Sequence, residues 1–270
     1  MNKQLIKKSL LCNWDNNEEL SRIINTFKDK VEIRFVGGCI RDILLGLKLK
    51  DIDFAINCKP NQTIKILKEK NIKYSEKGIS HGSISIEMNE KKYEITSLRK
   101  DVITSGRFAK VEYTNDWDED SLRRDFTMNA IYLSITGDIT DKFNGINDIN
   151  DQKISFIGET KKRIQEDYLR ILRYFRFFGI FYNPKYQKKD IEIIDSEINE
   201  IKKFVSNNKI NNELIKMMGN SYFSKSFLIK FKSNQNKNLL EIIENWWNKD
   251  KYIKGLETIL LCKKLINRDQ

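Results

Sequence analysis

Val36-Gly37-Gly38-Cys39-Ile40-Arg41-Asp42-Ile43-Leu44-Leu45-Gly46, followed by Lys50-Asp51-Ile52-Asp53-Phe54, is the stretch that decides the fold. Val31 to Val36 alternates and is rich in β-branched and aromatic residues, which predicts a strand. Gly37 and Gly38 allow backbone angles and a close approach that a side chain would block. Helix-compatible residues follow, so the turn leads into a helix start whose N–H groups favour a phosphate. A second strand then carries Asp51 and Asp53.

Residues two apart on a strand share a face. Two neighbouring carboxylates raise each other's pKa unless a cation intervenes. Mg²⁺ takes oxygen ligands and needs only one or two carboxylates when substrate phosphates complete its shell. The acid pair close behind a Gly-Gly turn therefore reads as a metal–nucleoside triphosphate site, with Asp51 and Asp53 as metal ligands. A surface turn with stray charges is the plain alternative, because Asp-x-Asp alone is common.

The 270-residue chain is long enough for one large domain or two. It contains no apolar run of bilayer length, and Met1 to Asn16 makes a poor signal peptide. Cys12, Cys39, Cys58 and Cys262 lack metal-type spacing, and their scatter predicts a reducing, cytoplasmic setting. A single histidine, His81, argues against a histidine-based zinc site. The net charge of +11 and the pI near 9.3 fit a polyanionic partner such as nucleic acid; a general lysine bias explains them equally well.

Outward from the opening stretch, residues 1–28 read as a helical lead-in, with Leu20, Ile23, Ile24 and Phe27 at helical spacing. Asn61 to Asn71 reads as an amphipathic helix. Ser83 to Met88 and Lys91 to Leu98 alternate around an Asn89-Glu90 turn and predict a hairpin. Glu94 lies on its second strand, as a third acid that either completes a metal cradle or acts as base toward an attacking hydroxyl. Arg99 to Asp120 reads as a long, charged loop. Ile131 to Ile135 and Ile139 to Phe143 read as strands. From Lys161 the pattern is helical: Glu166 to Gly179, Ile191 to Val205, Asn211 to Met218, Leu239 to Trp247 and about Leu256 to Leu265. The divisions expected are a head over 29–150, a helical neck over 151–218 and a helical body over 219–270.

Two further constellations carry chemistry. In Arg123-Arg124-Asp125-Phe126-Thr127-x-Asn129-Ala130, the arginines suit triphosphate oxygens. Asp125 and Asn129, one helical turn apart, suit a sugar hydroxyl or hold the arginines; a surface helix with an internal ion pair is the alternative. In Glu166-Asp167-x-x-Arg170-x-x-Arg173-x-x-Arg176, helical spacing pairs Asp167 with Arg170. Cytosine and adenine both present an amine donor beside a ring-nitrogen acceptor, so an Asp–Arg pair accepts both and rejects guanine and uracil. Plain intrahelical pairing of Glu166 and Asp167 with Arg170 is the alternative.

The Gly-Gly turn and acid pair resemble the nucleotidyltransferase superfamily that includes DNA polymerase beta. Taken together, the motifs resemble class II CCA-adding enzymes, of the bacterial CCA enzyme and poly(A) polymerase family. They run from Val36 to Gly46, through Asp51-x-Asp53, His81-Gly82, Glu94-Ile95-Thr96-Ser97-Leu98-Arg99-x-Asp101-Val102, Asp118 and Arg123 to Ala130. They end in Asp141-x-Phe143-x-Gly145-x-x-Asp148 and Glu166-Asp167-x-x-Arg170-x-x-Arg173.

The resemblance implies an α+β fold: a polymerase-beta-like head with a mixed sheet, followed by an all-α neck, body and tail. The family's chains are usually longer, so a shortened helical body with the tRNA-gripping tail reduced or absent is expected here. It implies Mg²⁺ on Asp51 and Asp53 with Glu94 as a third catalytic acid. It implies nucleotide binding by Gly37, Gly38, Arg41, Arg123, Arg124, Asp125, Asn129, Asp167, Arg170, Arg173 and Arg176. Residues 99–120 match the family's flexible loop, with Phe108 where relatives often carry a basic or imidazole group, and Asp141 to Asp148 match its hinge. The expected activity is untemplated addition of C, C and A to tRNA from CTP and ATP, with no membrane partner. A poly(A) polymerase, a partial CC- or A-adding enzyme, and an inactive tRNA-binding remnant are the alternatives.

Overall fold

The computed structural model describes residues 17–222, except 48, 50, 90, 106 and 107, and only the backbone over the rest of 102–110. The lead-in before residue 17 and the expected body helices beyond 222, with Trp246 and Trp247, lie outside the described residues, as does the side chain of Phe108. The described chain divides at Asp151 and Gln152 into two compact units.

The first unit is a sheet with one apolar and one polar face. Its elements are α1 (Glu18–Phe27), β1 (Ile33–Val36), α2 (Gly38–Leu44), β2 (Ile52–Ile56), α3 (Pro60–Glu69), β3 (Tyr74–Ser75), β4 (Ser83–Met88), β5 (Lys91–Ser97), β6 (Arg99–Ser105), β7 (Phe108–Tyr113), α4 (Trp117–Leu122), β8 (Tyr132–Ser134), β9 (Ile139–Thr140) and α5 (Gly145–Asn150). Seven strands form a mixed sheet in the order β3-β4-β5-β2-β1-β8-β9, and β6 and β7 form a separate pair. Only β2 and β5 run parallel among the pairs of the large sheet.

Register explains the two faces, because directly opposed residues point the same way. Phe35 opposes Phe54, Phe54 opposes Ile95, and Ile95 opposes Ile84; all are buried. The Phe35 and Phe54 rings lie 4.8 Å apart. The buried residues of α1 (Leu20, Ile23, Ile24, Phe27) and of α3 (Ile66, Leu67) join this core. The Asn17 side chain caps α1 by accepting from the Glu19 and Leu20 N–H groups, both at 3.1 Å. Glu19 then ties the helix to the sheet by accepting from Asn89, Lys91 and the Tyr93 hydroxyl. The opposite face carries Asp53, Glu94, Thr96 and Arg34, with a small apolar patch of Val36, Ala55, Leu98 and Tyr132 covered by Trp117.

The second unit is helical: α6 (Thr160–Glu166), α7 (Leu169–Phe178), α8 (Lys188–Glu197), α9 (Ile201–Phe204) and α10 (Asn207–Met218). Ile171, Leu172, Phe175 and Phe178 fill its core, and Phe156 stacks on Tyr174 at 5.4 Å. The Thr160 hydroxyl donates to Asp190 at 2.6 Å, fixing the start of α6 to α8.

Three local expectations fail. Residues 99–120 are not a loop but a strand pair and a helix, α4, started by the Asp116 side chain, which accepts from the Asp118 N–H. The strand expected over 139–143 stops at Thr140. The helix expected over 166–179 is broken at Asp167, whose backbone is extended (φ −155°, ψ 101°). Among the described residues no helix is long and apolar enough to cross a membrane.

Phe54 is 0% exposed at the centre of the apolar face. Phe54→Ala should lower stability by about 3–5 kcal/mol in urea unfolding; an unchanged midpoint would remove the face from the core.

Candidate active site

The parallel register puts Asp53 directly opposite Glu94 on the polar face. Strand spacing alone leaves two such carboxylates close together, with Asp51 at the mouth of the same strand. Burial of Asp53 pushes its carboxyl up to about 6; Glu94 and Asp51 push the same way, while Arg124 and Arg41 pull it back. Asp51, Asp53, Glu94, Arg41 and Arg124 thus form one electrostatic cluster. Among the described residues no three histidine, cysteine or acidic side chains converge in a way that could hold a metal ion.

The Gly37 turn sits beside this cluster. Gly37 has φ +72°, and a Cβ there would lie 3.3 Å from the Asn129 carbonyl and 3.5 Å from Arg124 Nη1. Its N–H donates to the Ile131 carbonyl at 3.1 Å, holding the turn against the chain entering β8. No side chain caps α2, so its first turn stays open to an anion. Arg41 on α2 donates to Asp42 at 2.7 Å and to the Asn129 side chain at 2.7 Å. The Asn129 amide donates to Asp125 at 3.0 Å. Asp125 and Asn129 are therefore linked as their spacing suggests, but through an extended Phe126 and a 3₁₀ turn rather than an α-helix.

The arginines are organised by Asp120, which the motif itself does not include. Asp120 is fully buried and accepts from Arg123 at 2.7 Å, from Arg124 at 3.1 Å and from the Tyr132 hydroxyl at 2.6 Å. Arg124 in turn donates to that hydroxyl at 2.9 Å. Burial opposes ionisation of Asp120, but Arg124 and Arg123 overcome it and hold its carboxyl at about 2. Its position three and four residues ahead of the arginines was a readable signal. Asp118, by contrast, pairs with Lys142 at the surface. Arg123 pairs with Asp120, whereas Arg124 also donates to the Asn129 carbonyl at 3.4 Å and pulls the Asp53 carboxyl down by its charge.

Asp141 accepts from the Gly145 and Ile146 N–H groups at 2.7 and 2.9 Å and starts α5. A Cβ at Gly145 would run into the Thr127 carbonyl, so this glycine lets α5 sit against the turn that carries Asn129.

Asp167, Arg170, Arg173 and Arg176 lie in the second unit. The expected Asp167–Arg170 ion pair is replaced: Arg170 donates to Glu166 at 2.7 Å and to the Arg163 carbonyl at 2.6 Å. The break after Glu166 is the cause, because it takes Asp167 out of helical register and leaves it exposed, accepting from the Leu169 N–H at 3.1 Å. Arg173 lies over the Phe177 ring and Arg176 pairs with Glu213 at 3.2 Å.

Residues 33–155 match the model of the Poly A polymerase head domain. The chain is 47% identical over 153 residues to the human mitochondrial CCA tRNA nucleotidyltransferase 1, across 56% of this chain and 35% of that protein. It is 32% identical over 213 residues to a CCA-adding enzyme of Enterococcus faecalis, across 74% of this chain and 51% of that enzyme. The first unit thus resembles the Poly A polymerase head domain over residues 33–155. A solved CCA-adding enzyme from Bacillus stearothermophilus, in complex with CTP, superposes with a TM-score of 0.70 at 28% identity over 82% of this chain and 53% of its own. The match to curated CCA-adding relatives thus spans about a third to a half of their length.

The raised carboxyl of Asp53 predicts a pH dependence. Its folded pKa lies above the ordinary value, so its contribution to stability is complete below pH 4 and is lost as pH rises through about 6. Asp53→Asn should therefore raise the unfolding free energy at pH 8 by about 2–3 kcal/mol, with the gain vanishing at pH 4. Thermal melts at both pH values check this; equal effects at both would show that Asp53 is not strained.

Proposed function

We propose that this chain adds C, C and A to the 3′ end of tRNA from CTP and ATP without a template. The observation that carries the reading is the opposed Asp53–Glu94 pair beside the Gly37 turn and the Arg41–Asn129–Asp125 relay. The likeness to CCA-adding enzymes supports it.

Mg²⁺ fits the donor set, with Asp51 and Asp53 as ligands, because the ion accepts two carboxylates and takes its remaining oxygens from triphosphate and water. When bound, it would lower the pKa of the attacking hydroxyl and offset charge on the leaving pyrophosphate. Arg41 and Arg124 supply positive charge to the triphosphate, and the Gly37–Gly38 backbone allows its close approach. Asp125 and Asn129 position Arg41 and are poised for the ribose. The tRNA 3′-hydroxyl attacks the α-phosphate, its oxygen forms the new phosphodiester, and pyrophosphate departs. Glu94 stands where it can take the hydroxyl proton or complete the cation's shell. Arg123 steadies Arg124 through Asp120.

In the second unit we assign base recognition to Asp167 and Arg170, with Arg173 and Arg176 as further nucleotide-binding residues of α7. Glu166 and the Arg163 carbonyl set the direction of Arg170, and the break at Asp167 brings its carboxylate clear of the helix. We place the chain in the cytoplasm; Cys39 and Cys58 are buried free thiols, which suits a reducing compartment.

The test is single-nucleotide extension of a tRNA lacking its 3′ end, with Mg²⁺, CTP and ATP. Growth by C, C and A with arrest there is expected, and Asp51→Ala should cut the rate by about a thousandfold or more. A ladder of A would identify a poly(A) polymerase, arrest after CC a partial enzyme, and tRNA binding with no extension a remnant. Added Mg²⁺ should raise the melting temperature of the wild type at pH 8 more than that of Asp53→Asn.

A further inference from the structure

One row of opposed residues crosses the polar face beyond the catalytic pair. Asp53 opposes Glu94, Glu94 opposes Ser85, and Ser85 opposes Ser75, across β2, β5, β4 and β3. All four are half-buried. The next row on the same face is also hydroxyl-bearing: Thr96 opposes Ser83, and their hydroxyls bond at 2.9 Å. Ile84, Ile86, Tyr93 and Ile95 alternate with these residues and point into the core. The hydroxyls are therefore not there to fill the interior.

The face has a direction. Gly37, Arg41, Arg124 and Asn129 lie on the β1 and β8 side of Asp53. Glu94, Ser85 and Ser75 lie on the other side. Displacement at phosphorus places the attacking oxygen and the leaving group in line on opposite sides. With the triphosphate held on the glycine and arginine side, the attacking hydroxyl has to come from the serine side. Strands are spaced about 4.8 Å apart, which puts Ser85 about 10 Å from Asp53, on the order of one nucleotide back from the reacting hydroxyl.

We propose that Ser85, with Ser75 beyond it, is a positioning residue for the acceptor RNA: its hydroxyl donates to the sugar–phosphate backbone behind the terminal nucleotide and delivers the 3′-hydroxyl to Asp53 and Glu94. Such contacts fix orientation without reading sequence, which suits an end whose last base changes at every addition. This inference rests on the nucleotidyl-transfer reading of the same site.

Ser85→Val removes the hydroxyl and keeps a β-branched strand residue; Ser85→Thr restores the hydroxyl. Steady-state extension by CTP would be measured with tRNA and CTP varied separately, and thermal melts would accompany each variant. The Val variant should raise the KM for tRNA about tenfold, the loss of one hydrogen bond to a charged oxygen, while its KM for CTP and melting temperature stay near wild type. The Thr variant should recover the tRNA KM. Ser75→Ala is the second probe, with a smaller rise in the same parameter, and it decides the matter if Ser85→Val fails to fold. A tRNA KM unchanged in both variants of a wild type that extends tRNA overturns the placement alone, and so does a CTP KM that rises in step. A wild type that extends nothing overturns the reading on which it stands.

Discussion

The parallel pairing of β2 with β5 is the constraint on which the site depends. It sets Asp53 against Glu94, two like charges that repel across a strand gap. The same register sets Phe54 against Ile95 on the other side. A slip of one residue would send Phe54 to the polar face and Asp53 into the apolar core. The fold keeps its acids together because separating them would expose the aromatic face that α1 and α3 bury. The cost falls on Asp53, whose carboxyl is pushed up first by burial and then by Glu94.

Asp120 supplies the other half of that balance. A buried carboxylate with two guanidinium partners and a tyrosine hydroxyl is a satisfied network, and removing one member would strand the rest. Tyr132 joins the network to the sheet, since it opposes Val36 on the polar face. Its ring packs edge-on against Trp117 at 5.5 Å. Trp117 in turn lies under the Arg34 guanidinium at 4.0 Å. The arginine whose charge lowers the Asp53 pKa is thus anchored to α4 and β8 rather than left to sample solvent. Its charge acts at the site without a conformational search.

The strands of the polar and apolar faces were readable because their alternation is clean. Ser83 to Met88 and the run from Lys91 each alternate as strands should, and β4 and β5 lie there. Gly37 was readable because a β-strand ending in two glycines has few uses. Residues 99–120 hide two strands and a helix because their charges resemble those of a solvated loop. There Arg99, Asp101 and Lys100 pair with one another or with neighbours instead. The break at Asp167 was hidden for a different reason. The apolar spacing of Ile164, Ile171 and Phe175 serves two short helices about as well as one long one, and no glycine or proline marks the interruption. Asp120 was missed because a single acid in a charged run looks like surface until its two arginines are folded over it.

The break at Asp167 redistributes the ion pairs of the second unit. A carboxylate and a guanidinium on one continuous helix would pair with each other and present little to a base. Here Arg170 is occupied by Glu166 and the Arg163 carbonyl, while Asp167 is turned out by an extended residue. The acceptor and the donor are thereby kept from neutralising each other. An irregularity of one residue between α6 and α7 therefore turns the Asp167 carboxylate outward while Arg170 stays buried against Glu166.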